Sequence, residues 1–121
     1  MHDLYPEVMA IFLRLGEEYG LKGRICRPGF AHEKLLSTSA FSDAFYGDNA
    51  TEEGFLEILE NHSCESLEIM CHPAYVDSEL YHGTSYNIPR VEELRILTSP
   101  AVKKYIAERG IELIHFAGLG A

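Results

Sequence analysis

Basic residues are scarce in this chain: ten Lys and Arg stand against nineteen Asp and Glu, for a formal net charge of -9. A protein that grips phosphate backbones or anionic lipid needs the opposite balance, so nucleic acid and membranes are not its expected partners. Cysteine is also sparse. Cys26, Cys64 and Cys71 are widely spaced and form no C-x-x-C pair, which argues against a disulfide framework or a zinc knuckle and for a reducing cytoplasm. No apolar run reaches the length of a membrane span, and His2 and Asp3 follow Met1 where a secretion signal would carry basic and then apolar residues. Nucleophile elbows (G-x-S-x-G), P-loops, G-x-G-x-x-G turns and EF-hand loops are all missing. No internal repeat or low-complexity tract is evident.

With 121 residues and 46% apolar side chains, the sequence has the size and content of a single globular domain. Helical and strand patterns alternate along it, the order of an α/β fold. A first helix is predicted from a cap at Asp3, with Pro6 in its first turn and Leu4, Val8, Ile11, Phe12, Leu15 and Tyr19 on one face, ending at Gly20. A short strand is expected around Lys22–Arg27, before Pro28 and Gly29. Between Phe30 and Ser42 the signals are weak, Glu33–Leu36 suiting one helical turn. Phe41, Ala44, Phe45 and Tyr46 suit a strand or an apolar loop. Thr51 or Asn49 then caps a helix with Phe55, Leu56, Ile58 and Leu59. Residues 73–88 read as a long polar and aromatic loop, of a length that is usually functional or mobile. Pro89 opens a helix through Leu97 with Val91, Leu94 and Leu97 inward, Ser99 and Pro100 begin another that Gly110 ends, and Ile111, Leu113 and Phe116 fit a last strand.

The segment Ser66–Asp77 is the one that points to chemistry. Leu67, Ile69 and Cys71 alternate with Glu68, Met70 and His72, and Pro73 stops the pairing just past the histidine. In parallel α/β folds ligands collect at the carboxyl ends of strands, and imidazole titrates near neutral pH. A lone strand-end histidine is as compatible with a structural role. Cys71 points to the other strand face and reads as a small core residue, not as a thiol partner of His72. Three or four strands are too few to close a barrel, which takes about eight. The chain therefore reads as part of something larger or as a small sheet covered by a second copy.

Four runs carry a family resemblance: F-S-D-A-F-Y-G-D at Phe41–Asp48, S-L-E-I-M-C-H-P-A-Y-V-D at Ser66–Asp77, S-Y-N-I-P-R-V-E-E-L-R-I-L-T-S at Ser85–Ser99, and I-A-E-R-G-I-E-L at Ile106–Leu113. They resemble the YdjC-like carbohydrate deacetylases, most closely the branch acting on chitooligosaccharides such as diacetylchitobiose. The resemblance implies a partial TIM-barrel-like fold and a hydrolase that removes N-acetyl groups from a small oligosaccharide with a divalent metal, Mg or Zn. It also implies that residues 1–121 correspond to the C-terminal half of such an enzyme. The family's metal ligands, an aspartate of a D-D-F-G-like motif and two histidines, one in a D-S-H-H-H-V-H-like run, match positions upstream of Met1. No metal ligand is therefore assigned within the chain, no tightly bound metal is expected, and the implied partners are a second copy or a missing N-terminal half.

By the same resemblance His72 is the catalytic candidate, as proton donor to the leaving amine or as orienter of water. Glu68, on the same strand face, is expected either to couple to it or to face solvent. Arg27 suits sugar hydroxyls, a carboxylate or a surface ion pair. Tyr75, Asp77, Tyr86 and Asn87 lie in the loop expected to line a sugar site, or to pack it. Arg90 is placed to clamp that loop, and Tyr46 and Asp48 to form another wall. His32, His62, His82 and His115 show no metal-ligand spacing.

Overall fold

Proline at the start of a helix loses nothing by lacking an amide donor. Pro6 accordingly opens α1 (Pro6–Tyr19) in the computed structural model, which describes residues 5–25 and 35–120. Asp3, the expected cap, lies outside those residues, as do Leu4, Arg27 and Glu33. Gly20 ends α1 as expected, at φ 61°, a conformation that favours glycine. The other elements are β1 (Ala40–Ser42), α2 (Glu52–Asn61), β2 (Leu67–Ile69), α3 (Ser78–Gly83), α4 (Ile88–Leu97) and α5 (Pro100–Glu108). The fold is α/β, with five α helices and two strands among the described residues. Ala40 N–H bonds Ser66 O at 3.0 Å and Met70 N–H bonds Ser42 O at 2.8 Å, so register advances together along both strands and the pair is parallel.

The chain divides into two units. The first comprises Met1–Phe41, Cys64–Glu68 and Leu113–Ala121. Ile25, Leu35 and Leu119 are its buried apolar residues among those described. Leu35 packs where α1 has no side chain: a Cβ on Gly16 would stand 2.5 Å from Leu35 Cδ1. Lys22 Nζ donates to Ala117 O (2.9 Å) and Leu119 O. The apolar face expected to be buried is not, since Val8, Ile11, Leu15 and Tyr19 are all exposed. An amphipathic stripe is buried only where a second layer covers it, and periodicity alone does not supply that layer.

The second unit comprises Ser42–Ser63 and Ile69–Glu112. Phe45, Phe55, Ile58, Ile96 and Val102 are buried in it, and Phe45 meets Phe55 edge-on at 5.1 Å. The caps follow the sequence. Thr51 Oγ1 accepts from Gly54 N (2.9 Å) and Ser99 Oγ from Val102 N (3.1 Å), while Gly110 takes φ 63° just past α5. Glu60 anchors α5 to α2 by accepting from Tyr105 Oη at 3.0 Å.

Several expected elements differ. Residues 21–25 form no strand, although Gly23 N–H reaches Leu36 O at 3.0 Å, and residues 35 and 36 are not helical. Ile111–His115 is irregular and exposed before a short 3-10 helix at Phe116–Gly118. A strand exists only by pairing in a ladder, and among the described residues the single Gly23–Leu36 bond builds none over 21–25 and no strand of the sheet includes 111–115. The β2 ladder stops near Met70, so Cys71 is exposed instead of buried. The supposed long loop contains α3, whose start Asp77 caps. In α4 the inward residues are Glu93 and Ile96, whereas Val91 is exposed.

That last difference gives a stability contrast. Ile96→Ala is expected to cost about 2–5 kcal/mol, by lost burial and a residual cavity, whereas Val91→Ala should stay within about 0.5 kcal/mol. Urea midpoints of the two variants check this, and equal shifts would contradict the assignment of the α4 core face.

Candidate functional site

The site lies within the second unit and is organised by α4. Residues three apart on a helix share a face, so Arg90 and Glu93 look the same way, in line with Ile96. Glu93 is fully buried, and both of its carboxylate oxygens accept hydrogen bonds. Oε2 takes the backbone N–H of His72, and Oε1 takes the Tyr86 hydroxyl at 2.5 Å. A buried carboxylate without such donors would cost several kcal/mol, so α4 packs only if the His72 loop and Tyr86 come with it. Arg90 fixes the same two segments from the other direction. Its Nε donates to Tyr86 O (2.6 Å) and its Nη1 to His72 O (3.1 Å), while its own carbonyl accepts from Ala74 N (3.2 Å).

Aromatic packing completes the wall. Tyr46 and Tyr86 stack with centroids 4.1 Å apart and planes 13° apart, and the His72 ring stands edge-on to both, at 5.5 Å and 5.8 Å. Gly47, at φ 59°, turns the chain so that its N–H reaches the Tyr86 hydroxyl at 3.1 Å. The His72 side chain keeps 29% of its exposure, yet its Nδ1 is buried and hydrogen-bonds to nothing. The carboxylate nearest it is Glu93, with Oε1 at 3.9 Å. Burial and the bond to Glu93 hold the Tyr86 hydroxyl above the usual tyrosine range, as a neutral donor.

The sequence candidates divide sharply. His72, Tyr46, Tyr86 and Arg90 come together, and Arg90 donates to the carbonyls of Tyr86 and His72. Asp77 and Asn87 serve the backbone instead. Asp77 Oδ1 accepts from Leu80 N, and Asn87 spends its amide on Tyr81 O, Thr84 O and Ile88 N, because short polar side chains before a helix satisfy its first amides. Tyr75 is 89% exposed, and Asp48 is exposed in the short 3-10 helix at Gly47–Asn49. Glu68 belongs to the first unit, where Arg24 holds Oε1 through Nε at 2.7 Å and through Nη2. Within the second unit the carboxylate beside His72 is Glu93. Arg27 lies outside the described residues. Glu93 is the residue that sequence reasoning missed, although it is the Glu of the S-Y-x-x-P-R-x-x-E-L pattern.

Comparison with known proteins bears on what this arrangement does. A family model described as YdjC-like protein matches residues 1–108. The chain belongs to the YdjC-like family. Two relatives called carbohydrate deacetylase, from Brevibacillus brevis and Geobacillus stearothermophilus, are each 38% identical to it, over 96% and 93% of the chain and 49% and 46% of their own lengths. A crystal structure from Enterococcus faecalis, of a candidate cellobiose-phosphate cleavage protein, superposes with a TM-score of 0.90 at 28% identity, covering the whole chain and 50% of that protein. The chain thus spans about half the length of the relatives it matches. Carbohydrate deacetylases use a metal, but among the described residues no group of three or more His, Cys, Asp or Glu side chains is placed to hold one. No helix among them is long and apolar enough to cross a membrane.

Replacing Tyr86 tests the network. Tyr86→Phe leaves one buried Glu93 oxygen without its donor and should cost about 1–3 kcal/mol at neutral pH. The Tyr86 hydroxyl ionises above the ordinary value of 10.0 in the fold. The unfolded chain therefore loses that proton first as pH rises, and the contribution of Tyr86 is present below pH 10 and lost through the folded value. Denaturation of both forms should show the gap narrowing above pH 10; a constant gap would contradict the assigned donor.

Proposed function

We propose that these 121 residues supply the acid/base half of a carbohydrate deacetylase centre, with His72 as the proton donor to the leaving amine. What supports this is the position of one imidazole, partly exposed, edge-on to two stacked tyrosines and fixed by its own backbone amide and carbonyl. Hydrolysis of an N-acetyl group adds water to the amide carbonyl, breaks the C–N bond and releases acetate, and the departing nitrogen needs a proton as it leaves. An imidazole, which can carry and release a proton, suits that task. Tyr46 and Tyr86 suit the face of a pyranose ring, and short N-acetylated chitooligosaccharides are the substrates the family resemblance favours. Tyr75 and, through loop packing, Asp77, Asn87 and Arg90 belong to the rim of that site in this reading. Glu68, held by Arg24 in the first unit, and Arg27 are kept in this reading as candidates for sugar hydroxyls.

The ligands for a divalent metal, Mg or Zn, are assigned to a complementary N-terminal half, and the barrel closes only when both halves meet. The half length of the match to both relatives supports this. A cytoplasmic setting suits a chain with so little cysteine. A second reading, a non-catalytic half-barrel that binds sugar or pairs with its own copy, draws support from the uncovered α1 face of Val8, Ile11, Leu15 and Tyr19.

The pure chain is expected to release no acetate from diacetylchitobiose and to bind no divalent metal tightly. Chelator-sensitive acetate release by the chain alone would overturn the half-site reading. In a full-length deacetylase carrying these residues, His72→Ala should lower turnover on the order of a hundredfold while metal content is unchanged. Unchanged turnover would return His72 to a structural role and favour the second reading.

A further inference from the structure

We infer that Glu93 is the positioning residue of the site: it fixes His72 as the Nδ1–H tautomer and so leaves Nε2 as the nitrogen that faces a ligand. Three observations carry this, and none depends on a bound substrate. His72 Nδ1 is buried and without a hydrogen-bond partner, although the ring as a whole retains 29% exposure, so the accessible part of the imidazole is its other side. Glu93 is fully buried, and its Oε1 lies 3.9 Å from that nitrogen. The same carboxylate is already tied to the His72 backbone amide through Oε2, so ring and acceptor cannot drift apart.

Closing 3.9 Å to an ordinary N–H···O distance takes about 1 Å of movement, and bonds to catalytic groups are often long before a ligand arrives. The other groups around the ring do not compete for Nδ1. Tyr46 and Tyr86 present aromatic faces and edges, the Tyr86 hydroxyl is committed to Glu93, and Arg90 donates to the His72 carbonyl. A histidine nitrogen oriented by a buried carboxylate is a recurrent arrangement for proton transfer, in which the carboxylate sets the tautomer and does not itself react. In the doubly protonated ring Nε2 carries the proton given to the leaving amine, and the Nδ1–H form that Glu93 favours is what remains; Glu93 therefore touches no reacting atom and acts through His72.

The inference rests on the proposed acid/base role of His72 for its meaning, but its first test does not. Nitrogen-detected spectra of the neutral His72 ring in this chain should show Nδ1 protonated and Nε2 bare. A ring protonated mainly at Nε2, the usual preference of an unconstrained neutral histidine side chain, would overturn it whatever the chain catalyses. In Glu93→Gln the ring should move towards the Nε2–H form, with retained Tyr46 and Tyr86 ring signals reporting a folded site. A folded variant with an unchanged tautomer would count against Glu93, and should the variant unfold, the wild-type spectrum alone decides.

The second test is a double-mutant cycle in a full-length deacetylase containing these residues. Glu93→Gln should lower kcat tenfold or more with little change in KM, and should add nothing once His72 is alanine. Additive losses would overturn the positioning role while leaving His72 catalytic; no loss from His72→Ala would instead remove the acid/base reading itself.

Discussion

A carboxylate with no exposure to water organises the second unit. Glu93 enters the interior only because the amide of His72 and the hydroxyl of Tyr86 arrive with it, and each brings a segment that has no periodic pattern of its own. Helix α4 is thereby joined to the turn after β2 and to the loop before itself, and Arg90 repeats the connection through carbonyls. Such a polar centre is a poor choice for stability alone, because an apolar replacement of similar volume is often as good or better. What the carboxylate adds is direction: it accepts only where a donor points at it, so the His72 backbone and the Tyr86 hydroxyl are each held in one place.

Stack and carboxylate divide the work around that ring. Tyr46 and Tyr86 restrict how the imidazole can tilt, and the Glu93 contact restricts where its loop can sit. The proposed proton transfer would depend on both, since an acid displaced by a fraction of an ångström loses much of its advantage.

The sequence was a good guide wherever a local rule decides the outcome. Thr51 and Ser99 cap their helices, Pro6 and Pro100 open theirs, and Gly20 and Gly110 take left-handed backbone, because each of these preferences is settled within a few residues. Long-range decisions were not legible. Lys22–Ile25 and Ile111–His115 have strand-like composition, but pairing requires a neighbour that composition does not name. Burial on α1 and α4 failed for a related reason: the apolar stripes of Val8, Ile11 and Leu15 and of Val91 were visible, whereas what covers them was not. Glu93 was hidden by its type, since acidic residues are rarely interior unless paired, and only the Pro-Arg-x-x-Glu spacing marked it. Asp77 and Asn87 looked like ligands for a sugar because the same side chains that pair with hydroxyls also cap helices.

The backbone bonds around α4 also set how this region breathes. The amide of His72 is held by the Glu93 side chain and that of Ala74 by the Arg90 carbonyl, so neither is protected by a strand ladder. Both can exchange with solvent only when α4 lifts from the loop, an event that also parts Tyr86 from Glu93. The residues that shape the imidazole are thus tied into one set of shared bonds, and their opening is expected to be coupled. A ligand that seats against the imidazole would slow exchange at both amides together.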